Sequence, residues 1–365
     1  MHDRRLRTRF CDLVGIRYPV VQTGMGWVSG SRLTAATARA GGLGIVAAAP
    51  MTFEQMVVAI NEVRDMTDAP FGVNLRVDAT DIDRRVAHLI AEGVPVVSFA
   101  QAPGRSIVER LKEAGTVVIP TVGARRHAEK VAEWGVDAVI AQGAEGGGHT
   151  GTVPTTQLVP QVVDALAGTG VAVVAAGGFT DGRGLAAALA WGADAIAMGT
   201  RFLLTTDSDV PEAVKTIYLA TSVTGTVVTR AIDGVPQRVI GTDLVRHLER
   251  SRLLAFPRSV ANAIRFRRLT RTGLVELLVE GVRMKRSSEL TWGQVAMAAN
   301  APMLTRASMV EGRTEVGILP TGQGVGSIDE LPSCAELVSR IVAEAAETLN
   351  RLASVGIEIV QTPDS

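Results

Sequence analysis

Cysteine is scarce in this sequence of 365 residues, with Cys11 and Cys334 near opposite ends of the chain. Two cysteines so far apart, with no CxxC spacing and no cysteine–histidine cluster, indicate neither a disulfide framework nor a zinc site. Net charge is lacking too, because 37 Lys plus Arg balance 37 Asp plus Glu. No global field therefore favours nucleic acid or an anionic membrane surface as a partner, and any basic binding site must be local.

Long apolar runs are also absent. The opening stretch MHDRRLRTRFCDLVG is charged and has no apolar signal-peptide core, and no run of 18 or more uninterrupted apolar residues follows. We therefore expect a soluble, cytoplasmic protein. Apolar residues still make up 47% of the chain, so it can bury a sizeable core.

Eight short, apolar, β-branched runs alternate with longer amphipathic segments, and they predict eight strand–helix units. The predicted strands cover residues 19–24, 43–49, 71–76, 95–100, 116–121, 137–143, 171–178 and 194–200. The predicted helices include residues 31–41, 52–66, 105–115, 124–135 and 181–192. Near-continuous apolar strands in this alternation predict a parallel (β/α)8 TIM barrel, with a doubly wound open sheet as the alternative.

The stretch AQGAEGGGHTG follows predicted strand six and places His149 at the barrel mouth, because active sites of this fold lie at the carboxyl ends of the strands. Glycine lets the backbone approach a ligand, and histidine changes its charge most easily near neutral pH. The loop therefore indicates a cofactor together with proton transfer. A histidine that only holds the loop by hydrogen bonds is the alternative.

Predicted strand seven ends at Gly177 and Gly178, and predicted strand eight ends at Gly199 and Thr200. Barrels commonly bind phosphate with the loops after these two strands, where exposed backbone N–H groups favour an anion. Glycine often ends a strand, so one such loop would decide nothing, but two at these positions predict a phosphorylated cofactor.

Other residues at the predicted mouth fit a flavin. Glycines bring the backbone close to a flat ring, and neutral amides can exchange hydrogen bonds with ribityl hydroxyls and ring heteroatoms. These candidates are Gly24, Met25, Gly26, Asn74, Gln142, Gln323 and Gly324.

The ordered motifs VVQTGMGWVSG, FGVNL, AQGAEGGGHTG, VVAAGGF, AMGTRF and TGQGVGSI resemble the FMN-dependent family of nitronate monooxygenases, which includes flavin-type enoyl-acyl-carrier-protein reductases. The resemblance runs from about residue 10 to about residue 330. It implies non-covalent FMN at the mouth and a partly buried, catalytic His149 beside the reactive face of the flavin. The cofactor residues implied by position are Gly24, Met25, Gly26, Asn74, Gln142, Gly177, Gly178, Gly199, Thr200 and Gln323.

A basic segment follows the eighth predicted strand. Residues 246–286 hold eleven Lys plus Arg and three Glu, a local net charge of plus eight. Basic residues interleaved with apolar ones can hold the phosphates of coenzyme A, and Arg265, Arg267 and Arg268 are the candidates. A solvated helical face or a homo-oligomer interface is the alternative.

Together with TRAIDGVPQRVIGTDL, this segment resembles a bacterial subgroup of the family that acts on CoA thioesters during degradation of the steroid C and D rings. The resemblance implies an FMN oxidoreductase that forms or reduces a carbon–carbon double bond near the thioester of an indane-type carboxyl-CoA. NADH, NADPH and oxygen are the candidate electron partners. We expect a barrel built from residues 1–225 and 318–365, and a mostly helical substrate or lid segment at 226–317.

Three alternatives to this activity stay open at this point. They are nitronate oxidation with oxygen, enoyl-acyl-carrier-protein reduction, and an inert flavin-binding scaffold, since fold alone does not prove activity. Many nitronate-oxidising relatives use tyrosines around the cavity, whereas this chain has only Tyr18 and Tyr218.

Overall fold

Eight parallel strands close into a barrel in the computed structural model, which describes residues 6–252 and 301–355. They are β1 (Val20–Gln22), β2 (Leu43–Ala47), β3 (Phe71–Leu75), β4 (Val96–Phe99), β5 (Val117–Val122), β6 (Ala138–Gln142), β8 (Ala172–Ala176) and β9 (Ala195–Met198). Their order around the barrel follows the chain, and β9 pairs with β1 to close the ring. The predicted barrel is thereby confirmed and the open sheet is excluded, with each strand inside its predicted segment except β5, which extends one residue further to Val122.

The helices form the outer layer and the extensions of this barrel. They are α1 (Arg9–Val14), α2 (Ser31–Arg39), α3 (Phe53–Met66), α4 (Ile82–Ala91), α5 (Arg105–Glu113), α6 (Arg125–Ala132), α7 (Thr155–Ala165), α8 (Gly182–Ala190), α9 (Thr200–Leu203), α10 (Glu212–Leu219), α11 (Asp243–Arg252), α12 (Ala301–Met309) and α13 (Cys334–Ala353). Strands β2, β3 and β8 are buried along their whole length, as expected for parallel strands covered on both faces. None of the helices in the described ranges has the length and apolar character needed to cross a membrane.

Helix α13 completes the helical layer. Ser333 and Glu336 form a capping box at its start, which satisfies two backbone N–H groups there. The helix packs against α8 and α2. The contact with α8 is so close that a Cβ at Gly182 would lie 2.3 Å from the carbonyl oxygen of Ile341. The last described part of the chain therefore packs as part of the barrel.

A small antiparallel sheet stands beside the barrel and was not foreseen from the sequence. Its strands are β7 (Gly148–His149), β10 (Thr226–Thr229) and β11 (Gln237–Ile240), in the order β10-β11-β7. The segment 226–317 thus begins with a hairpin before α11, and α12 follows later in the segment. Residues 253–300 lie outside the described residues, so the predicted domain boundaries stay a prediction.

The backbone contact between β2 and α2 gives a stability prediction. A Cβ at Gly44 would lie 2.1 Å from the carbonyl oxygen of Thr34 in α2, so Gly44→Ala must push the helix off the barrel. Overpacking of this kind costs roughly 1–3 kcal/mol of unfolding free energy. Urea unfolding should show the loss, whereas Gly123→Ala, with no heavy atom within 4 Å of the new Cβ, should unfold near wild type. Equal midpoints for the two variants would contradict this packing.

Candidate active site

His149 lies on β7, which pairs with β11 in the register Gln237↔His149 and Arg238↔Gly148. Its main chain is also held from the barrel, because Nε2 of Gln142, the last residue of β6, donates to the carbonyl oxygen of His149 at 2.8 Å. The histidine therefore sits on a short ribbon at the carboxyl end of the barrel. This is the end where sites of this fold are built.

The imidazole of His149 meets a carboxylate on the hairpin. Its Nε2 lies 2.7 Å from Oδ2 of Asp233, and Nε2 of Gln237 lies 3.0 Å from the same ring nitrogen. The Gln237 side chain also donates to Asp233 Oδ2. The Asp233 side chain is 11% exposed and that of His149 is 61% exposed. A buried carboxylate thus holds one edge of the ring, while the rest of the ring faces outward.

The glycine-rich loop before His149 is fixed by two charged side chains. Oε2 of Glu145 accepts hydrogen bonds from the backbone N–H and the hydroxyl of Thr155, at 2.9 and 2.6 Å, at the start of α7. Arg238 donates to the carbonyl oxygen of Ala144 at 3.0 Å. Burial lowers the pKa of the Arg238 guanidinium, and the nearby Glu145 opposes that shift. The loop is therefore anchored on both sides.

Two backbone loops meet beside this site. Gly177 and Gly178, which follow β8, have φ values of 114° and 81°, a left-handed conformation that favours glycine. A Cβ at Gly324 would lie 2.7 Å from Cγ2 of Thr180 and 2.9 Å from the carbonyl oxygen of Gly178. The late glycine loop is thus packed directly on the loop after β8, with no room for side chains.

The loop after β9 joins the same cluster. The hydroxyl of Thr200 accepts a hydrogen bond from the N–H of Gly322 at 2.8 Å. The first N–H groups of α9, which begins at Thr200, have no partner within the helix. In contrast, α8 is capped, because Gly184 N–H donates to Asp181 at 3.1 Å and Gly182 N–H to Glu344 at 2.9 Å. The glycine loops and the start of α9 are therefore better placed than the start of α8 to donate backbone hydrogen bonds to an anion at this end of the barrel.

The turn after β1 lies against β3 and β9. A Cβ at Gly24 would come within 2.5 Å of Cβ of Asn74, so the turn presses its backbone on that side chain. Asn74 is 8% exposed, and its Nδ2 donates to Oγ of Ser98 at 3.0 Å. Sδ of Met25 would lie 3.3 Å from a Cβ at Gly199. The structure thus brings these predicted cofactor residues together at the carboxyl ends of neighbouring strands.

The structure places other predicted site residues as follows. The Gln142 amide nitrogen donates to the carbonyl oxygen of His149. The His149 side chain is 61% exposed on the β7–β11 ribbon. The backbone N–H of Gln323 donates to the carbonyl oxygen of Glu145 at 2.9 Å. The candidates Arg265, Arg267 and Arg268 lie outside the described residues.

Sequence reasoning missed Asp233 and Gln237. Their contacts with His149 depend on the register of the hairpin. Asp233 and Gln237 lie 84 and 88 residues after His149 in the chain, so no local spacing pattern in the sequence indicates these contacts. A signal was present, because Asp233-Gly234 lies between the β-branched runs TVVT and QRVI and marks a turn. This turn signal predicts a hairpin. It does not predict that the hairpin pairs with the glycine-rich loop, and only that pairing places the Asp233 carboxylate next to His149.

A family model described as nitronate monooxygenase matches residues 7–83 and 78–344 of this chain. The chain belongs to the nitronate monooxygenase family. That assignment confirms the resemblance inferred from the motifs, and it makes the chain an oxidoreductase rather than an inert scaffold.

Individual relatives in this family match nearly the whole chain. A protein of Mycobacterium tuberculosis strain H37Rv named (3aS,4S,5R,7aS)-5-hydroxy-7a-methyl-1-oxo-octahydro-1H-indene-4-carboxyl-CoA dehydrogenase is 57% identical over 342 residues, which are 93% of this chain and 96% of that protein. A protein of the same name from Rhodococcus jostii strain RHA1 is 53% identical over 351 residues, 96% of this chain and 99% of that one. The solved structure of FabK from Thermotoga maritima superposes with a TM-score of 0.76 at 36% identity, covering 95% and 98% of the two chains.

The contact between the two glycine loops predicts the effect of one added methyl group. Gly324→Ala should push its loop away from Gly178 and Thr180 and weaken the binding of the flavin by the apoprotein about tenfold, an effect of roughly 1.4 kcal/mol. Titration of flavin fluorescence measures the affinity. Gly151→Ala is the control at the same end of the barrel, because its Cβ would find its nearest heavy atom at 3.8 Å. Equal flavin affinity in the two variants would show that this cradle does not hold the cofactor.

Proposed function

We propose that this family member is an FMN-dependent oxidoreductase that acts on a CoA thioester of an indane-type carboxylic acid. It forms, or in reverse reduces, the carbon–carbon double bond conjugated to the thioester. The observation that carries the proposal is the 57% identity, over 96% of its length, to a dehydrogenase named for an indene-4-carboxyl-CoA. We place the reaction in the cytoplasm, where CoA thioesters are made and consumed.

The cluster of glycine loops fits the cofactor in this proposal. Gly177, Gly178 and Thr200 would hold one phosphate group, and the Gly24 turn with Asn74 would lie against the ring system. A single phosphate cradle favours FMN over FAD, which carries two phosphates and an adenosine. When bound, FMN supplies a two-electron acceptor or donor at N5 of the flavin. NAD⁺ or NADP⁺ is the proposed electron acceptor when the double bond is formed, and NADH or NADPH is the proposed donor when it is reduced.

The chemistry assigned to His149 follows from its substrate. A thioester carbonyl acidifies the hydrogen on the adjacent carbon, so a base at the mouth can remove it as a proton. His149 presents its exposed ring edge at the carboxyl end of the barrel, and Asp233 holds the opposite edge at 2.7 Å. The ring can therefore accept a proton from a substrate without being detached from its support.

The described stretches on either side of residues 253–300 are anchored next to this hairpin. A separate apolar cluster joins the hairpin residues Ile232 and Val239 to Val245 and Leu248 of α11 and to Leu304 of α12. The chain on both sides of residues 253–300 therefore lies beside the hairpin that carries Asp233 and Gln237. This placement supports Arg265, Arg267 and Arg268 as ligands for the phosphates of coenzyme A at the mouth.

The positions of the two tyrosines, away from the barrel mouth, favour the thioester substrate over a nitronate. The hydroxyl of Tyr218 donates to the carbonyl oxygen of Pro320 at 2.8 Å, and complete burial raises the pKa of Tyr218 well above its usual value. Tyr18 precedes β1 and so lies at the opposite end of the barrel from the mouth. Since the chain has only these two tyrosines, none lines the mouth. Nitronate oxidation, the activity named by the family, remains the second candidate.

The base role of His149 predicts a selective loss of turnover. His149→Ala should keep FMN and lose roughly 10²- to 10⁴-fold in turnover of an acyl-CoA substrate, the range that a general base contributes. Flavin content by absorbance and steady-state kinetics give the two numbers. His127→Ala, which removes an exposed imidazole from α6, should behave like wild type. A His149→Ala protein that loses its flavin or unfolds would indicate a structural role instead.

Charge reversal tests the CoA assignment. The double variant Arg265→Glu with Arg268→Glu should raise the KM for the acyl-CoA ester and leave turnover of the same acyl group on pantetheine nearly unchanged, because distant phosphate contacts contribute uniform binding. Higher salt should weaken binding in the same direction. Arg39→Glu with Arg351→Glu makes an equal charge change near the carboxyl ends of α2 and α13, and should leave the KM unchanged. Unaltered CoA-ester kinetics in the first variant would mean that the basic segment is a solvated face or a subunit contact.

A further inference from the structure

We propose that Asp233, aided by Gln237, is a positioning residue that fixes the proton of neutral His149 on Nε2 and leaves Nδ1 as the base. The inference rests on the proposed function of His149. The observation behind it is the three-residue cluster at the hairpin, in which Oδ2 of Asp233 lies 2.7 Å from His149 Nε2. The side-chain hydrogen bonds of Asp233 go to His149, Val235 and Gln237, so it would act through the imidazole.

The hydrogen bonds of Asp233 leave one consistent arrangement. Oδ1 accepts from the backbone N–H of Val235 at 3.1 Å, and Oδ2 accepts from the side-chain amide of Gln237. An amide NH₂ can only donate, so Gln237 occupies Oδ2 as a donor. His149 Nε2 faces the same oxygen at 2.7 Å, and a ring nitrogen without a hydrogen would place its lone pair against a carboxylate. The Gln237 amide nitrogen also lies 3.0 Å from His149 Nε2, and since both nitrogens point at Oδ2 we take them as two donors that share this oxygen. The ring therefore carries its hydrogen on Nε2.

That hydrogen decides which ring atom can act. In a neutral imidazole one nitrogen donates and the other accepts, so a proton on Nε2 leaves the lone pair on Nδ1. Asp233 is 11% exposed and His149 is 61% exposed, so the paired edge faces the protein and the rest of the ring is open to a substrate. The carboxylate also balances the positive charge that the ring gains when Nδ1 takes a proton.

An amide at position 233 could not do the same. The single oxygen of an asparagine can accept from either the Val235 N–H or His149 Nε2. The NH₂ group must then face whichever of these two the oxygen does not face. With the oxygen kept on Val235, the NH₂ would donate to His149 Nε2 and move the ring proton to Nδ1. Asp233→Asn therefore changes almost no volume but removes the base from the substrate side.

The wild-type tautomer can be read directly by nitrogen NMR of the holoenzyme labelled with ¹⁵N-histidine. At a pH where the ring is neutral, the His149 signal, identified by its loss in His149→Ala, should show a protonated Nε2 and an unprotonated Nδ1. Asp233→Asn should reverse this pattern, and Asp233→Glu should keep it. Asp243→Asn, which changes a carboxylate of α11 that is 99% exposed, is the control and should change nothing. A wild-type ring protonated on Nδ1 would overturn the proposal even if a variant failed to fold.

Turnover gives the second readout. Asp233→Asn should lose roughly 10²-fold or more in turnover of the acyl-CoA substrate, and Asp233→Glu should recover at least about tenfold of that loss, because the carboxylate is restored. Equal turnover in Asp233→Asn and wild type would overturn the positioning role. If the tautomer reverses as expected while His149→Ala keeps full turnover, the positioning of the ring stands and the proposed base function fails.

Discussion

The site depends on a short antiparallel pairing between β7 and β11. In this pairing Gly148 lies opposite Arg238 and His149 lies opposite Gln237. It joins a loop that follows the sixth barrel strand to a hairpin that follows the eighth. Glu145 and Arg238 hold the earlier part of this glycine-rich loop, and the pairing holds the part that carries His149. The pairing sets the height of the histidine above the barrel and brings Asp233 against its ring. It also ties the support of His149 to the segment assigned to substrate binding, so changes in that segment should reach the histidine.

Close backbone contact is the second constraint. Gly324 packs directly on Gly178, and the Thr200 hydroxyl accepts a hydrogen bond from the N–H of Gly322. In our proposal this leaves backbone N–H groups, rather than positive side chains, to face the cofactor phosphate. The basic residues are then free for coenzyme A, whose phosphates lie far from the reacting carbon. Such a division would let the chain bind two phosphorylated molecules at one end of the barrel without competition between their sites.

The barrel was predictable because its strands are short apolar runs buried on both faces, a pattern set by local sequence alone. The segments AVIAQ and AVVAA, for example, are buried along nearly their whole length. The positions of the glycine loops were predictable for a similar reason. In a parallel barrel the carboxyl ends of all strands lie at the same end, so a loop that follows a strand must lie there. Asp233 was not predictable, because it lies 84 residues from His149 in the chain and reaches it only through the pairing of β7 with β11. The hydrogen bond from the Gln142 amide to the main chain of His149 was not predictable either, because no motif distinguishes such a partner from a ligand.

An anaerobic absorbance spectrum of the flavin tests the central claim most directly. The oxidised holoenzyme would be mixed with a saturated indane-type carboxyl-CoA thioester, with the matching pantetheine ester, and separately with a nitronate. Our account predicts that the thioesters bleach the flavin band within the time of turnover and that the nitronate does so far more slowly. Rapid bleaching by the nitronate, with no response to any acyl-CoA thioester, would contradict it.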